Sequence, residues 1–200
     1  MLLPLFLACA HPVDITVSAA SIAPTMANGA AWDGPDKLPP AAMGLLDSAM
    51  AKLDPSGQLG AAVAGAAGQM AQPDVAGTAE FRGDAESAPI TAIIPEVSDS
   101  LGPTWAVGSA TLRGVTLGSN SVLRITLVDK DLQSDDPIGV AVITAADLAR
   151  AEHTDGAVTV DVSGQTSGQV KSVSVVVSPA APAAPAAPTA PAPAEKTAGG

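Results

Sequence analysis

The chain has 200 residues and a formal net charge of −11, from 9 Lys and Arg against 20 Asp and Glu. This acidic balance argues against nucleic acid as a partner, because phosphate binding requires clustered basic side chains. With no Tyr, two Trp and two Phe, the core must be built from aliphatic side chains. A single Cys excludes both an intramolecular disulfide and a cysteine zinc cluster.

The first residues, MLLPLFLA, are apolar and precede Cys9. They are too few to cross a bilayer and lack the basic start of a secretory signal. They resemble the end of a bacterial lipoprotein signal, in which the Cys becomes lipidated. Two interpretations are open. Residues 1–12 are a truncated signal with lipid on Cys9, or they are a terminus without function. The first predicts an exported protein of the cell envelope.

A strand is predicted for Asp14–Ala23, where apolar and polar residues alternate. After a turn-rich stretch, a helical stripe follows at spacings of three and four, formed by Met43, Leu46, Met50 and Leu53. The Ala-rich residues up to 71 contain several Gly and predict only a weak second helix. We expect a helical insertion over about 38–71. Capping an edge of the β domain is favoured over a membrane-inserting hairpin.

From residue 74 onward the pattern predicts β structure. Strands are predicted over 76–83, 88–96, 104–115, 121–129, 137–144, 157–164 and 170–178. With the first strand they make eight, several of them spaced as in an antiparallel sandwich. A short helix is predicted over 145–152. Because no strands alternate with long helices, the pattern argues against an α/β fold.

The end of the chain, residues 179–200, has Pro at every second or third position over most of its length. Such spacing prevents helices and sheet ladders, so a disordered Pro/Ala-rich tail is predicted. The predicted organisation is therefore a terminal segment at 1–12, a β-sandwich domain at 13–178 and a tail at 179–200.

The most informative stretch is LRITLVDKDLQSDDPIG at 123–139, which carries four carboxylates within eight residues. They belong to Asp129, Asp131, Asp135 and Asp136. Asp129 and Asp131 continue the parity of the apolar residues that face the core, so both should point the same way at the end of a strand. Hard oxygen ligands in a loop suit Ca²⁺, which takes ~6–8 of them. An EF-hand is excluded, because Ser134 and Val140 occupy the places of its Gly and Glu.

This loop resembles that of C2 domains, which are eight-stranded calcium- and lipid-binding sandwiches. The family pattern of D-x-D followed by D-x-I-G is matched by VDKDLQSDDPIG, and the family's P-x-W by Pro103 to Trp105. The resemblance implies that either Asp135 or Asp136 faces the ion. It implies further ligands at Asp74 and at Asp33, or Asp36 in its place, and puts the helical insertion in the first top loop. Because two strands follow the D-x-I-G strand, the order resembles that of phospholipase-type, permuted C2 domains.

The resemblance also implies a function. Ca²⁺ would neutralise the carboxylates, order the loops and leave coordination sites for an anionic group, so the expected partner is an anionic phospholipid or a protein. Trp32 and Leu132 are candidate membrane contacts, although local packing explains each more simply. A monomer without a small-molecule substrate is expected.

Enzyme motifs are missing from the sequence: it has no G-x-S-x-G, no H-E-x-x-H and no phosphate-binding Gly loop. Its two imidazoles, His11 and His153, lie in polar or terminal stretches. We therefore predict a non-enzymatic, Ca²⁺-binding, C2-like module. The alternative is a calcium-independent structural or adhesive sandwich of the bacterial envelope, and a third, weaker hypothesis is a hydrolase that uses the aspartates with a metal.

Overall fold

The structure is a computed structural model that describes residues 11–29, 31–32, 72–84, 88–131, 134–164 and 168–181. The predicted helical insertion, most of the predicted terminal segment and the tail beyond residue 181 lie outside these residues.

The described residues form eight strands and one helix. In chain order they are β1 (Pro12–Ile22), β2 (Val75–Arg82), β3 (Ile90–Val97), β4 (Thr111–Thr116), β5 (Val122–Asp129), β6 (Asp136–Thr144), α1 (Ala145–Glu152), β7 (Val158–Asp161) and β8 (Val170–Pro179). The eight predicted strands and the short helix are all present.

Two four-stranded sheets pack against each other. One has the strand order β4-β1-β8-β7 and the other the order β3-β2-β5-β6. Every pairing within the sheets is antiparallel. The prediction of an all-β, eight-stranded, antiparallel C2-like sandwich is confirmed. As expected, two strands, β7 and β8, follow the D-x-I-G strand β6. Both belong to the sheet opposite β6.

The core lies between the sheets and is almost entirely aliphatic. Alternate residues of each strand point inward, so that Ile15 of β1, Ile125 of β5 and Val175 of β8 are fully buried. Burying each such side chain contributes roughly 1.5–3 kcal/mol to folding. The core therefore follows from the period-two pattern of the sequence and needs few aromatic residues.

The predicted fourth strand, 104–115, begins too early, because the observed strand β4 starts only at Thr111. The backbone N–H of Ser109 donates to the carbonyl of Ala106 at 3.1 Å, and Gly108 adopts φ +91° within this turn. Trp105 lies before the turn, and its indole N–H donates to the carbonyl of Pro95 at 2.7 Å. The apolar residues that suggested a strand here instead form a turn and a packed Trp.

Candidate functional site

The carboxylate-bearing loop begins at the buried end of β5. Leu127 is 1% exposed and Asp129 is fully buried, so Asp129 continues the core-facing side of the strand as predicted. It is the last residue of β5, and its register partner on β6 is Asp136. Asp131 follows the strand and is partly buried. A fully buried aspartate at the end of an otherwise aliphatic strand face needs polar neighbours.

Asp74 supplies one such neighbour. Its backbone N–H donates to Oδ1 of Asp129 at 2.7 Å. The ladder between β2 and β5 pairs Val75 with Asp129, so the residue before β2 lies against the end of β5. The backbone N–H of Lys130 in turn donates to the carbonyl of Asp74 at 2.8 Å. The structure therefore brings together the loop before β2 and the loop after β5.

The loop between β3 and β4 joins them through Asp99, which the sequence prediction missed. The backbone N–H of Asp99 donates to Oδ1 of Asp74 at 2.9 Å, and Asp99 adopts the left-handed conformation, with φ +50°. The next residue, Ser100, donates its backbone N–H to the carbonyl of Pro73 at 3.0 Å. S-D-S between two strands is a pattern typical of a solvated turn, so it carries no local signal of a contact with Asp74.

Lys130 contributes a positive charge within the carboxylate loop. Its Nζ lies 2.5 Å from Oδ2 of Asp135, and the two side chains are 44% and 39% exposed. Asp135 is therefore held by an ion pair at the surface, whereas Asp136 begins β6 opposite the buried Asp129. The two adjacent aspartates thus have different surroundings.

The glycine of the D-x-I-G motif lies where the two sheets meet. The carbonyl of Ile138, the preceding residue, accepts the backbone N–H of Gln169 at 2.7 Å. Gly139 forms a β-bridge with Gly168. A Cβ atom added at Gly168 would overlap the carbonyl oxygen of Ile138. This close approach of two backbones fixes the start of β6, and with it the position of Asp136.

Trp32 corrects one expectation. It is 1% exposed and belongs to the hydrophobic core, and its indole N–H donates to the carbonyl of Ala23 at 2.9 Å. A side chain buried in this way does not reach a membrane surface, so the prediction of a membrane contact at Trp32 is wrong. Local packing, the simpler explanation, accounts for this residue.

Three other candidate residues lie outside the described part of the chain. They are the ligand Asp33, the membrane contact Leu132 and the lipidation residue Cys9. The substitute ligand Asp36 lies outside it as well.

The described side chains fit Ca²⁺ by their chemistry. The donors near the end of β5 are carboxylates, which are the hard oxygen ligands that Ca²⁺ prefers. Within the described ranges, however, no three His, Cys, Asp or Glu side chains form a group that could hold a metal ion. Side chains of a suitable ligand type are therefore present, but the described residues do not form a complete metal site.

The described imidazoles have other positions. His11 Nε2 lies 3.1 Å from Oε1 of Glu152, which links the start of β1 to α1. His153 is the C-cap residue of α1. Neither lies within the loops that carry the aspartates.

A cleft of about 400 Å³ lies at the other end of the sandwich. Phe81 and Val115 contribute apolar surface to it, and Asp84 lies among its lining residues. The carboxylate of Asp84 accepts the backbone N–H groups of Ser119 and Asn120 and so caps the turn between β4 and β5. This acidic residue has a structural role.

Among the described residues, no helix is long and apolar enough to cross a membrane.

Comparisons with known proteins give matches among solved structures alone. No family model matches the chain, and no curated protein matches it. A single C2 domain of plant extended synaptotagmin 1 is 11% identical, with a TM-score of 0.41, over 86% of this chain and 98% of that one. Human GIVD cytosolic phospholipase A2, with an inhibitor and terbium chloride, is 11% identical, with a TM-score of 0.42, over 84% of this chain and 17% of that one. The calcium-bound pair of C2 domains of extended synaptotagmin 2 is 14% identical, with a TM-score of 0.39, over 84% of this chain and 46% of that one.

Proposed function

We propose that this chain is a non-enzymatic C2-like module that binds Ca²⁺ at the aspartates around the end of β5 and then docks to anionic phospholipid or to a protein. The observation that carries the proposal is the hydrogen bond from the Asp74 N–H to Oδ1 of the buried Asp129. It joins two loops, each with a carboxylate that the resemblance to C2 domains implies as a ligand.

The roles of the residues follow from their positions. Asp129, Asp131 and Asp136 supply carboxylate oxygens from the two ends of one loop, and Asp74 supplies a carboxylate from the loop before β2. We assign Asp136 rather than Asp135 as the inward ligand, because Asp136 is the register partner of Asp129 while Asp135 pairs with Lys130. When bound, Ca²⁺ supplies positive charge and open coordination for an anionic oxygen such as that of a lipid phosphate.

Vesicle sedimentation tests the proposal. The full chain is mixed with vesicles of phosphatidylserine and phosphatidylcholine, or of phosphatidylcholine alone, in calcium or in EDTA. We expect sedimentation only with the anionic vesicles in calcium. Asp131→Asn should abolish it, while Asp155→Asn, which changes an exposed aspartate beyond α1, should not. If the chain binds calcium but sediments with neither kind of vesicle, the docking target is a protein rather than a lipid.

The second candidate is a calcium-independent structural or adhesive sandwich. It is favoured by the protein donors around the carboxylates: the Asp74 N–H on Asp129, the Asp99 N–H on Asp74 and the Lys130 ammonium on Asp135. The first two contacts join three loops without an ion, and the third pairs Asp135 with a positive charge of its own loop. Under this candidate, neutral substitutions at Asp131 or Asp136 leave the thermal stability equal in EDTA and in calcium.

In either case we propose an exported location in the cell envelope, with lipid attached to Cys9. Fractionation of the source cells, with metabolic labelling by a radioactive fatty acid, tests both parts. Label on the wild-type chain but not on Cys9→Ser is the expected result, and an unlabelled chain in the cytoplasm would contradict it.

A further inference from the structure

The strand β3 lies at the edge of its sheet. In the described part of the chain its ladder joins it to β2 alone. At the end of β3, the carbonyl of Pro95 accepts the indole N–H of Trp105 at 2.7 Å, which holds this end against the loop before β4. The preceding stretch, Ile90–Ile94, lies at an open edge. An open edge is a template for pairing with another strand.

The other three edge strands carry features that prevent such pairing. β4 contains Arg113, whose side chain is 65% exposed, and Gly114, which adopts φ +61°. β7 is only four residues long and ends in the charged Asp161. The start of β6 has a second neighbour, because the carbonyl of Ile138 accepts the backbone N–H of Gln169. β3 is therefore the edge strand with the least protection in the described structure.

The residues of this open edge are uncharged and partly exposed. Between Pro89 and Pro95 the chain has no charged residue, although its net charge is −11. Ile93 is 77% exposed and Ile90 is 42% exposed. An uncharged edge strand with exposed aliphatic side chains favours association. Because proline has no backbone N–H, Pro89 and Pro95 limit the pairing to Ile90–Ile94.

The charges at the two ends of β3 favour a second copy of the chain as the partner. Glu96 is exposed at one end. Arg82 follows Phe81, whose register partner is Ile90, so its 66% exposed side chain lies near the other end. In a two-fold symmetric pair the two β3 strands are antiparallel, so Glu96 of each copy lies at the Arg82 end of the other. Opposite charges then meet twice, while the net charge of −11 opposes association through other surfaces.

We propose that β3 pairs with β3 of a second copy, so that two four-stranded sheets join into one continuous sheet. Ile93 of each copy packs against Thr91 or Ile93 of the other on the outward face. Because the symmetric pairing uses the open edge of both copies, assembly stops at a dimer. The pairing involves no aspartate of the proposed calcium site and needs no calcium. A dimer replaces the monomer expected from the sequence.

Sedimentation velocity of the full chain tests this pairing. The buffer contains EDTA, and a reductant that prevents an intermolecular disulfide through Cys9. Ile93→Lys places a charge on the pairing strand of both copies, at a side chain that is 77% exposed and so contributes little to the core. Val107→Lys is the matched control, because Val107 is 84% exposed but lies in the turn before β4. Circular dichroism verifies that each variant is folded.

We expect the wild type to form a dimer with a dissociation constant in the micromolar range, as is typical of a small interface. Ile93→Lys should raise this constant by more than about tenfold, because the substitution occurs twice in a symmetric contact and brings like charges together. Val107→Lys should leave it within about twofold of the wild type.

Charge reversal tests the antiparallel arrangement. Glu96→Arg and Arg82→Glu each bring like charges together in a homodimer, so each should raise the dissociation constant about tenfold. When the two variants are mixed in equal amounts, a heterodimer should form as readily as the wild-type dimer. In that heterodimer both contacts again join opposite charges. A folding defect in either variant would not produce this recovery.

Three results would overturn the proposal. A wild type that is monomeric at the highest measurable concentration would exclude the second copy and leave the β3 edge to an extended segment of another protein. A dimer that Ile93→Lys does not weaken would show that the copies associate through another surface. Charge variants that stay monomeric when mixed would contradict the antiparallel contact between Glu96 and Arg82. None of these results depends on whether the chain binds calcium.

Discussion

The backbone N–H of Asp74 donates to Oδ1 of Asp129 at 2.7 Å, although 55 residues separate the two in the sequence. The contact exists because β2 and β5 are antiparallel neighbours and Asp129 pairs with Val75. It joins the loop before β2 to the loop after β5. The proposed calcium site depends on this junction, which also has a measurable role in stability.

Replacing Asp129 should separate these two roles. Asp129→Ala removes the acceptor of the Asp74 N–H, and an unsatisfied donor at this partly buried position costs about 1 kcal/mol of unfolding free energy. Asp129→Asn keeps an oxygen acceptor and should cost less, yet it removes the charge that calcium requires. Urea unfolding in EDTA measures the first effect, and a calcium titration measures the second. Asp155→Ala serves as the exposed control, and an unfolding free energy for Asp129→Ala equal to that of this control would contradict the structural role.

The contact between β6 and the start of β8 predicts a strong effect at Gly168. An added Cβ there would overlap the carbonyl oxygen of Ile138, and the residue has φ +90°. Gly168→Ala should therefore destabilise the domain by about 2–4 kcal/mol, from overpacking and backbone strain together. Gly164→Ala is the matched control, because a Cβ at Gly164 meets no atom within 4 Å. Chemical denaturation compares the two, and equal losses would show that β6 and β8 do not approach each other in this way.

The buried tryptophans predict the behaviour of intrinsic fluorescence. Trp32 is 1% exposed and Trp105 is 6% exposed, and they are the two tryptophans of the chain. Emission should be blue-shifted, resistant to quenching by iodide and unchanged when anionic vesicles are added with calcium. Trp105→Phe leaves the signal of Trp32 alone. A further blue shift of that signal on vesicle binding would show that Trp32 leaves the core for the bilayer.

The pKa of Asp161 should report a local turn. Hydrogen bonds from the Ser163 hydroxyl, at 2.6 Å, and then from the Ser163 backbone N–H hold the pKa of Asp161 below its ordinary value of 3.8. Because the folded-state pKa is depressed, this contribution to stability is present above the unfolded-state pKa and is lost as the pH falls through the folded-state pKa. Ser163→Ala should raise the pKa of Asp161 toward its usual range in an NMR titration. An unchanged pKa in this variant would show that the hydroxyl does not donate to the carboxylate in solution.

Several features of the fold could be predicted because they depend on local pattern. The alternation from Leu123 to Asp129 places the aliphatic residues and the first aspartate on one side of β5, and the structure has them there. The same reasoning extended β4 backward over Trp105 and Gly108, where a turn interrupts the strand. A period of two indicates which residues can face the core but not where a chain leaves the sheet.

The remaining features depend on topology and could not be predicted from local pattern. Asp99 meets Asp74 because the loop between β3 and β4 lies beside the start of β2. Trp32 lies in a stretch of turn residues, which suggested an exposed tip, whereas its indole packs into the core. The pairing of Lys130 with Asp135, five residues later, depends on side-chain conformation, which an alternating pattern does not specify.

The most direct test of calcium binding is the thermal unfolding of the full chain in EDTA and across a calcium titration, compared with Asp136→Asn and Asp155→Asn. A site in the folded state stabilises the protein in proportion to the logarithm of ligand concentration once that concentration exceeds the dissociation constant. We predict a midpoint that rises with calcium in the wild type and in Asp155→Asn, and that stays constant in Asp136→Asn. A wild-type midpoint that does not change between EDTA and millimolar calcium would contradict the proposed calcium site.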